Sequence, residues 1–291
     1  LAGLSSRSSQ EESRRPQAPL SLGWLGFIGG LLKVVSALYL VFILGLFSSV
    51  KSVLASAERL ALELESQGGF ETGDAAALVA YITGGLRSII AENALGIGAA
   101  LFLWILGTIL FSREWERIAG YWPSIARRAF SIFTWLSRLG ALAAGVATGL
   151  VLSRLSGDMS SIAAGVRLSY IVATLYLLPL LPPVVYSLLS LKYPPPSSRA
   201  GVLLLLAGAV LYVYSMYSVI QAFRPISAVA GPLEEVLRGG LNQHSETELV
   251  NGFIEALRIL MDRVRNTLVA LALASAFYTL GFAVIGFRRR S

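Results

Sequence analysis

Six apolar runs, at 24–50, 94–111, 130–153, 168–191, 201–223 and 267–287, limit what this chain can fold into. A helix needs about 20 predominantly apolar residues to cross a bilayer. Inside lipid every backbone N–H and C=O must find a partner, which leaves helices or a closed barrel. These runs are long and lack the alternation of barrel strands, so they read as helices. Composition agrees: 14% of residues are charged and 55% are hydrophobic, with mean hydropathy +0.68. Soluble domains carry about 25% charged residues. The expected fold is all-α, a polytopic membrane helical bundle of about six spans. It forms a single transmembrane domain over 21–291.

Six spans place both termini on one side, and Lys/Arg density chooses the side. With the N-terminus inside, the inner segments 1–20, 112–128, 192–199 and 288–291 hold 12 Lys/Arg in 49 residues. The outer segments 51–93, 154–167 and 223–265 hold 10 in 100. The expectation is a multi-pass plasma-membrane protein with both termini cytoplasmic. Arg288, Arg289 and Arg290 anchor the C-terminal end. Residues 1–20 are polar and carry no apolar stretch before a small-residue cleavage site. They read as a disordered cytoplasmic tail, not a cleaved signal peptide.

Two long segments between spans are not short connections. After Lys51, the residues Val53, Leu54, Ala57, Leu60, Ala61 and Leu64 recur at helical spacing, with Glu58, Arg59, Glu63 and Glu65 off that face. Gly68 and Gly69 stop this helix, and Asp74 caps a second. Its stripe is Leu78, Val79, Ile82, Leu86, Ile89 and Ile90. The segment 223–265 repeats the order. Ile226, Val229, Ala230, Leu233 and Leu237 make a stripe, and Gly239 and Gly240 stop it. Ser245 and Glu248 form a capping-box pattern. Leu249, Phe253, Leu257, Leu260, Met261 and Val264 return. The chain therefore predicts two extracytoplasmic amphipathic hairpins, 51–93 and 223–265, a weak internal repeat. Both are net acidic, so they suit packing as a cap or docking a protein better than lying on lipid.

Small residues four apart let helices approach closely in lipid. Gly26 and Gly30 have that spacing, as do Gly140 with Ala144 and Gly145 with Gly149. In the fourth span Pro179, Pro182 and Pro183 remove backbone donors and force a kink or break. Such breaks mark transport sites in some carriers and simple bends in other proteins. Lys33 and Arg138 are the two charges inside spans. Each lies about nine residues, roughly 14 Å, from the cytoplasmic start of its span. They either snorkel to the interface or form a cationic constriction for an anionic substrate. No Asp or Glu falls inside the six spans as drawn, which argues against a proton-coupled carrier. The segment 112–128 combines Arg with Trp115, Tyr121 and Trp122, an interfacial-belt composition.

Catalytic signatures are missing. There is no cysteine and one histidine, His244, in a loop between helices. A lone histidine cannot build a zinc site. Neither a nucleophile elbow, an H-E-x-x-H pair nor a P-loop is present. No enzyme, cofactor or metal is expected. Arg outnumbers Lys, and Asn, Gln, Cys and Met are sparse, a thermophile-like composition.

Span count, size, the outer amphipathic segments and this composition together resemble the CedA family of polytopic proteins of the archaeal DNA-import (Ced) apparatus. That family is similar to the polytopic inner-membrane component of conjugative type IV secretion systems. The resemblance covers most of the chain and transfers no individual residue. It implies a DNA-translocation channel subunit working with small pilin-like membrane proteins and a separate cytoplasmic ATPase. DNA would be in transit, and homo-oligomers fit the same picture. Two other classes stay open: a permease-like subunit for a small solute, and a non-transporting assembly scaffold.

Overall fold

The computed structural model describes residues 23–43, 45–67, 74–120, 122–155, 168, 171–193, 199–237 and 243–287. Every regular element among them is helical. Helix α1 is Trp24–Leu38, followed by a π-helical turn at Tyr39–Ile43. Then come α2, Leu46–Ser66, α3, Asp74–Glu92, and α4, Ala94–Ala119. Helix α5 is Ser124–Leu155. The span Ile171–Lys192 is helical over 171–177, tightens to a 3-10 turn at Leu178–Leu180, and continues as α6, Leu181–Lys192. Helices α7, Arg199–Leu237, and α8, Gln243–Phe287, are the longest. At 1.5 Å per residue α8 is about 67 Å long, twice the roughly 30 Å hydrocarbon core of a bilayer.

Seven segments are long and apolar enough to cross a membrane, one more than the six expected. The addition is Asp74–Glu92, expected as the returning arm of the first hairpin. It is rich in Ala, Leu and Ile and carries three charges, Asp74, Arg87 and Glu92, so composition alone does not separate it from a span.

Its neighbours place it more closely. Gly29 sits against Gly107, the Ser36 hydroxyl donates to the Ala100 carbonyl (2.7 Å), and Gly85 sits against Val53. One antiparallel register therefore runs from the α1–α4 pair into the α2–α3 pair. Helix α8 runs antiparallel alongside both levels. Phe282 and Thr279 meet Gly26 and Gly30, while Lys51 pairs with Asp262 (3.1 Å) and Glu58 pairs with Arg258.

Two cores follow from this arrangement. One joins α4, α5, α6, α7 and the C-terminal half of α8, through Phe111, Trp115, Phe130, Tyr186, Leu205, Tyr212, Tyr278 and Phe282. The other joins α2 and α3 to α8 through Val50, Leu54, Ala57, Leu78, Ile82, Val250, Phe253 and Ile254. In the first stripe Leu54, Ala57 and Ala61 are buried and Leu64 is partly buried against them. Leu60 lies at the edge with 37% of its surface exposed. The expected stripe was drawn one residue too wide. Leu54→Asp is accordingly expected to loosen the α2–α3 tier, since a buried Leu contributes about 1.5–3 kcal/mol and an unpaired charge adds to the loss. Leu60→Asp should be tolerated. Limited proteolysis of the 67–74 connection compares them, and equal sensitivity would place the stripe elsewhere.

The second hairpin is not a separate unit in its backbone. Helix α7 continues from the membrane segment to Leu237 without a break, through Pro225 and Pro232, and α8 is uninterrupted. Leu233 and Leu237 lie on the last part of α7; their side chains fall outside the described residues. The tail 1–20, Gly68, Gly69, Gly239, Gly240 and Arg288–Arg290 also lie outside them, as do the side chains of His244 and Ser245.

Segment 112–128 is a correction. Helix α4 extends to Ala119 and α5 begins at Ser124, so most of the expected loop is helix. Trp115 and Trp122 are core residues, not an interfacial belt. Tyr121 lies outside the described residues. Tyr186 stacks between the two indoles, with centroids 5.3 Å away on each side.

Candidate functional site

Lys33 is the centre of the arrangement. Its helix is glycine-rich because its partners come to backbone contact. A Cβ at Gly29 would lie 2.7 Å from the Gly107 carbonyl and 2.8 Å from the Phe111 nitrogen. One at Gly30 would strike the Thr279 hydroxyl, and one at Gly26 would meet Phe282 at 2.7 Å. That closeness seals Lys33 inside, with 2% of its surface exposed. Its Nζ donates to the Tyr212 hydroxyl (2.8 Å) and lies 5.1 and 5.0 Å from the ring centroids of Phe111 and Tyr212. Tyr212 shares a hydrogen bond with Ser275 (3.1 Å), and Thr279 donates to the Ser275 carbonyl (2.6 Å). Among the described residues no carboxylate pairs with Lys33. A snorkelling lysine would reach water; this one points into the bundle.

Arg138 is handled differently. Its Nη2 pairs with Glu116 at 2.6 Å, its Nε donates to Ser112 (2.7 Å), and its guanidinium stands over the Trp135 ring at 5.3 Å. Thr134 donates to the other Glu116 oxygen (2.9 Å). Arg138 therefore clasps α5 to α4 as a compensated ion pair. The expectation that the two cations play equivalent parts does not survive this geometry. The carboxylate was missed because the second span was ended at Phe111; α4 continues over both Glu114 and Glu116.

Glu114 is fully buried at the start of α1. Its two oxygens accept the backbone N–H groups of Gly23 (2.7 Å) and Leu25 (3.2 Å), and Arg117 lies 3.5 Å away. Helix α1 has no capping side chain of its own. A helix begins with unpaired N–H groups and a partial positive charge, and a carboxylate satisfies both.

Of the remaining expected residues, all but Gly149 have packing contacts or are buried. A Cβ at Gly140 would meet the Leu178 Cβ at 2.7 Å, so α5 approaches the proline break there. Ala144 is buried. Gly145 faces Ile105 of α4 (2.7 Å to a built Cβ), whereas Gly149 has open space around it and is not a contact. The second pair of the motif is therefore a half-motif. Pro179, Pro182 and Pro183 are buried at the break. The Pro183 carbonyl accepts from the hydroxyls of Tyr278 and Ser187, each at 2.8 Å, so protein groups occupy it. No cluster of three His, Cys, Asp or Glu side chains is placed to hold a metal among the described residues.

The class that this fold defines is a multi-pass helical membrane protein, with a polar cluster sealed inside its bundle. Comparison with protein-family models, curated proteins and solved structures finds no match.

Proposed function

We propose that the chain is a non-enzymatic membrane subunit of a translocation machine, of the DNA-import type that its sequence pattern resembles. The observation that carries this reading is Lys33. Burying an ionisable side chain without a carboxylate costs several kcal/mol. An intramembrane cation kept at that cost is a functional candidate, and a phosphate polymer is the substrate that positive charge serves. In this structure the bundle is closed around it by Phe111, Tyr212 and the Gly29–Gly107 contact. Translocation requires α1 to move relative to α4 and α8; a chain without a P-loop is compatible with a separate ATPase driving that motion.

Six crossings fit best. Helices α2 and α3 prolong the α1–α4 register outward, so they form a tier beyond the membrane. Lys/Arg density puts both termini in the cytoplasm. The tier's charged outer surface, with Glu63, Glu65 and Glu92 exposed, suits small pilin-like membrane partners. The assembly-scaffold reading draws on the same tier and its separate core. The permease reading draws on the proline break, where the Pro183 carbonyl is taken by the Tyr278 and Ser187 hydroxyls.

Lys33→Met separates these readings. The side chains have similar volume, and burying a charge without a partner costs several kcal/mol, so its removal should be stabilising. The unfolding midpoint should rise. DNA uptake per inserted molecule, in a host lacking the wild-type copy, should fall. Unchanged normalised uptake would remove Lys33 from the path and leave the scaffold reading.

A further inference from the structure

At the cytoplasmic end the outward apolar stripes of α4, α5, α6 and α7 each finish in a cation. On α4 the exposed residues Leu95 and Phe102 are followed on the same face by Arg113. On α5 Arg128 heads the stripe Trp135, Leu139, Leu142 and Val146. On α6 Leu181 and Leu188 lead to Lys192, and on α7 Arg199 heads Leu203, Val210 and Tyr217. Spacings of three, four, seven and eleven residues keep each set on one helix face.

The four cations are exposed and, among the described residues, none has a carboxylate partner. Among the described residues the carboxylates of this end, Glu114 and Glu116, are turned inward onto α1 and Arg138. Arg128 also lies in the second turn of α5, near the helix end where the macrodipole disfavours a cation. Helix stability does not explain it.

We infer that these four residues form a collar for the phosphates of anionic lipids in the cytoplasmic leaflet. The distribution favours lipid over a docked acidic protein. A protein partner would need the charges gathered on one patch. Here they are spread over four helices, each at the end of a face that acyl chains would cover. The inference rests on the membrane-spanning reading and not on DNA transport. A lysine or arginine near an anionic surface contributes about 1 kcal/mol, or a preference of about fivefold.

The test uses the full chain reconstituted in phosphatidylcholine vesicles containing phosphatidylglycerol. Spin-labelled phosphatidylglycerol and phosphatidylcholine compete for the protein's lipid shell. The wild type should prefer the anionic label, and 1 M salt should weaken that preference. Arg113→Gln, Arg128→Gln, Lys192→Gln and Arg199→Gln together should bring it toward one. A variant with lysine at positions 113, 128 and 199 keeps the charge and should keep most of the preference; it also serves if the neutral variant inserts poorly. No preference in the wild type, or an unchanged preference in the neutral variant, overturns the collar. So does loss of preference in the lysine variant. Salt-sensitive capture of an acidic soluble protein without lipid preference would assign the surface to a protein partner instead.

Discussion

Replacing Glu114 with alanine is expected to destabilise the bundle by about 2–4 kcal/mol. Hydrogen bonds to a charged group are worth about 1.5–3 kcal/mol, and each orphaned buried donor costs about 1–3 kcal/mol more. Glu114→Ala orphans the Gly23 and Leu25 N–H groups and removes the carboxylate 3.5 Å from Arg117. Water can reach the helix start once the carboxylate is gone, which keeps the total below the simple sum. Glu114→Gln should lose about half as much, because its amide oxygen can still accept from one N–H group. The damage should be local: amide exchange should quicken over the first turn of α1 and stay slow at Leu54–Ala57, in the other core. An alanine variant within about 0.5 kcal/mol of wild type would show that α1 does not depend on this cap.

The helical membrane class follows from the lengths of the apolar runs, because backbone pairing in lipid admits so few alternatives. Segment 112–128 shows where that reasoning stops. Four charges between Arg113 and Arg117 make it look like a solvated loop. Phe111, Trp115, Ile118 and Ala119 nevertheless sit at i, i+4, i+7 and i+8, a helix stripe that continues α4. The same tryptophans suit a belt or a core, and tertiary packing decides. The second hairpin was drawn as starting at 223, whereas α7 runs on through Pro225 to Leu237. The hairpin stripe was legible in phase but not in width, which is why Leu60 was included.

The site was half legible. A lysine within an apolar run stands out at once, and Lys33 is the centre of the cluster. Its partners did not stand out. Tyr212, Ser275 and Thr279 are ordinary span residues, and their convergence depends on which faces of α7 and α8 meet α1. Arg138 looked equivalent to Lys33 because depth along a helix can be counted from sequence. The presence of Glu116 opposite one and not the other is a matter of register between helices. The same limit hid Glu114, whose partner N–H groups lie about 90 residues earlier.

Gly29→Leu is expected to be the most damaging of the glycine substitutions in α1. The reason is what its side chain would meet. At Gly26 the nearest atoms belong to the Phe282 ring, and at Gly30 to the Thr279 hydroxyl; both are side-chain atoms. At Gly29 the nearest atoms are the Gly107 carbonyl and the Phe111 nitrogen, both main chain of α4. A side chain there must push two helix axes apart. Overpacking a filled core usually costs about 1–3 kcal/mol and occasionally more, and a contact that cannot relax by rotamer change belongs at the upper end. Separation would also open the wall beside Lys33, since Gly107 touches its stem. Two effects should therefore appear together: a lower unfolding midpoint and new reactivity of Lys33 toward an amine-directed reagent. Gly26→Ala is the control, with a smaller loss and Lys33 still protected. If Gly29→Leu matches Gly26→Ala in both measurements, the α1–α4 backbone contact is not what closes the bundle over Lys33.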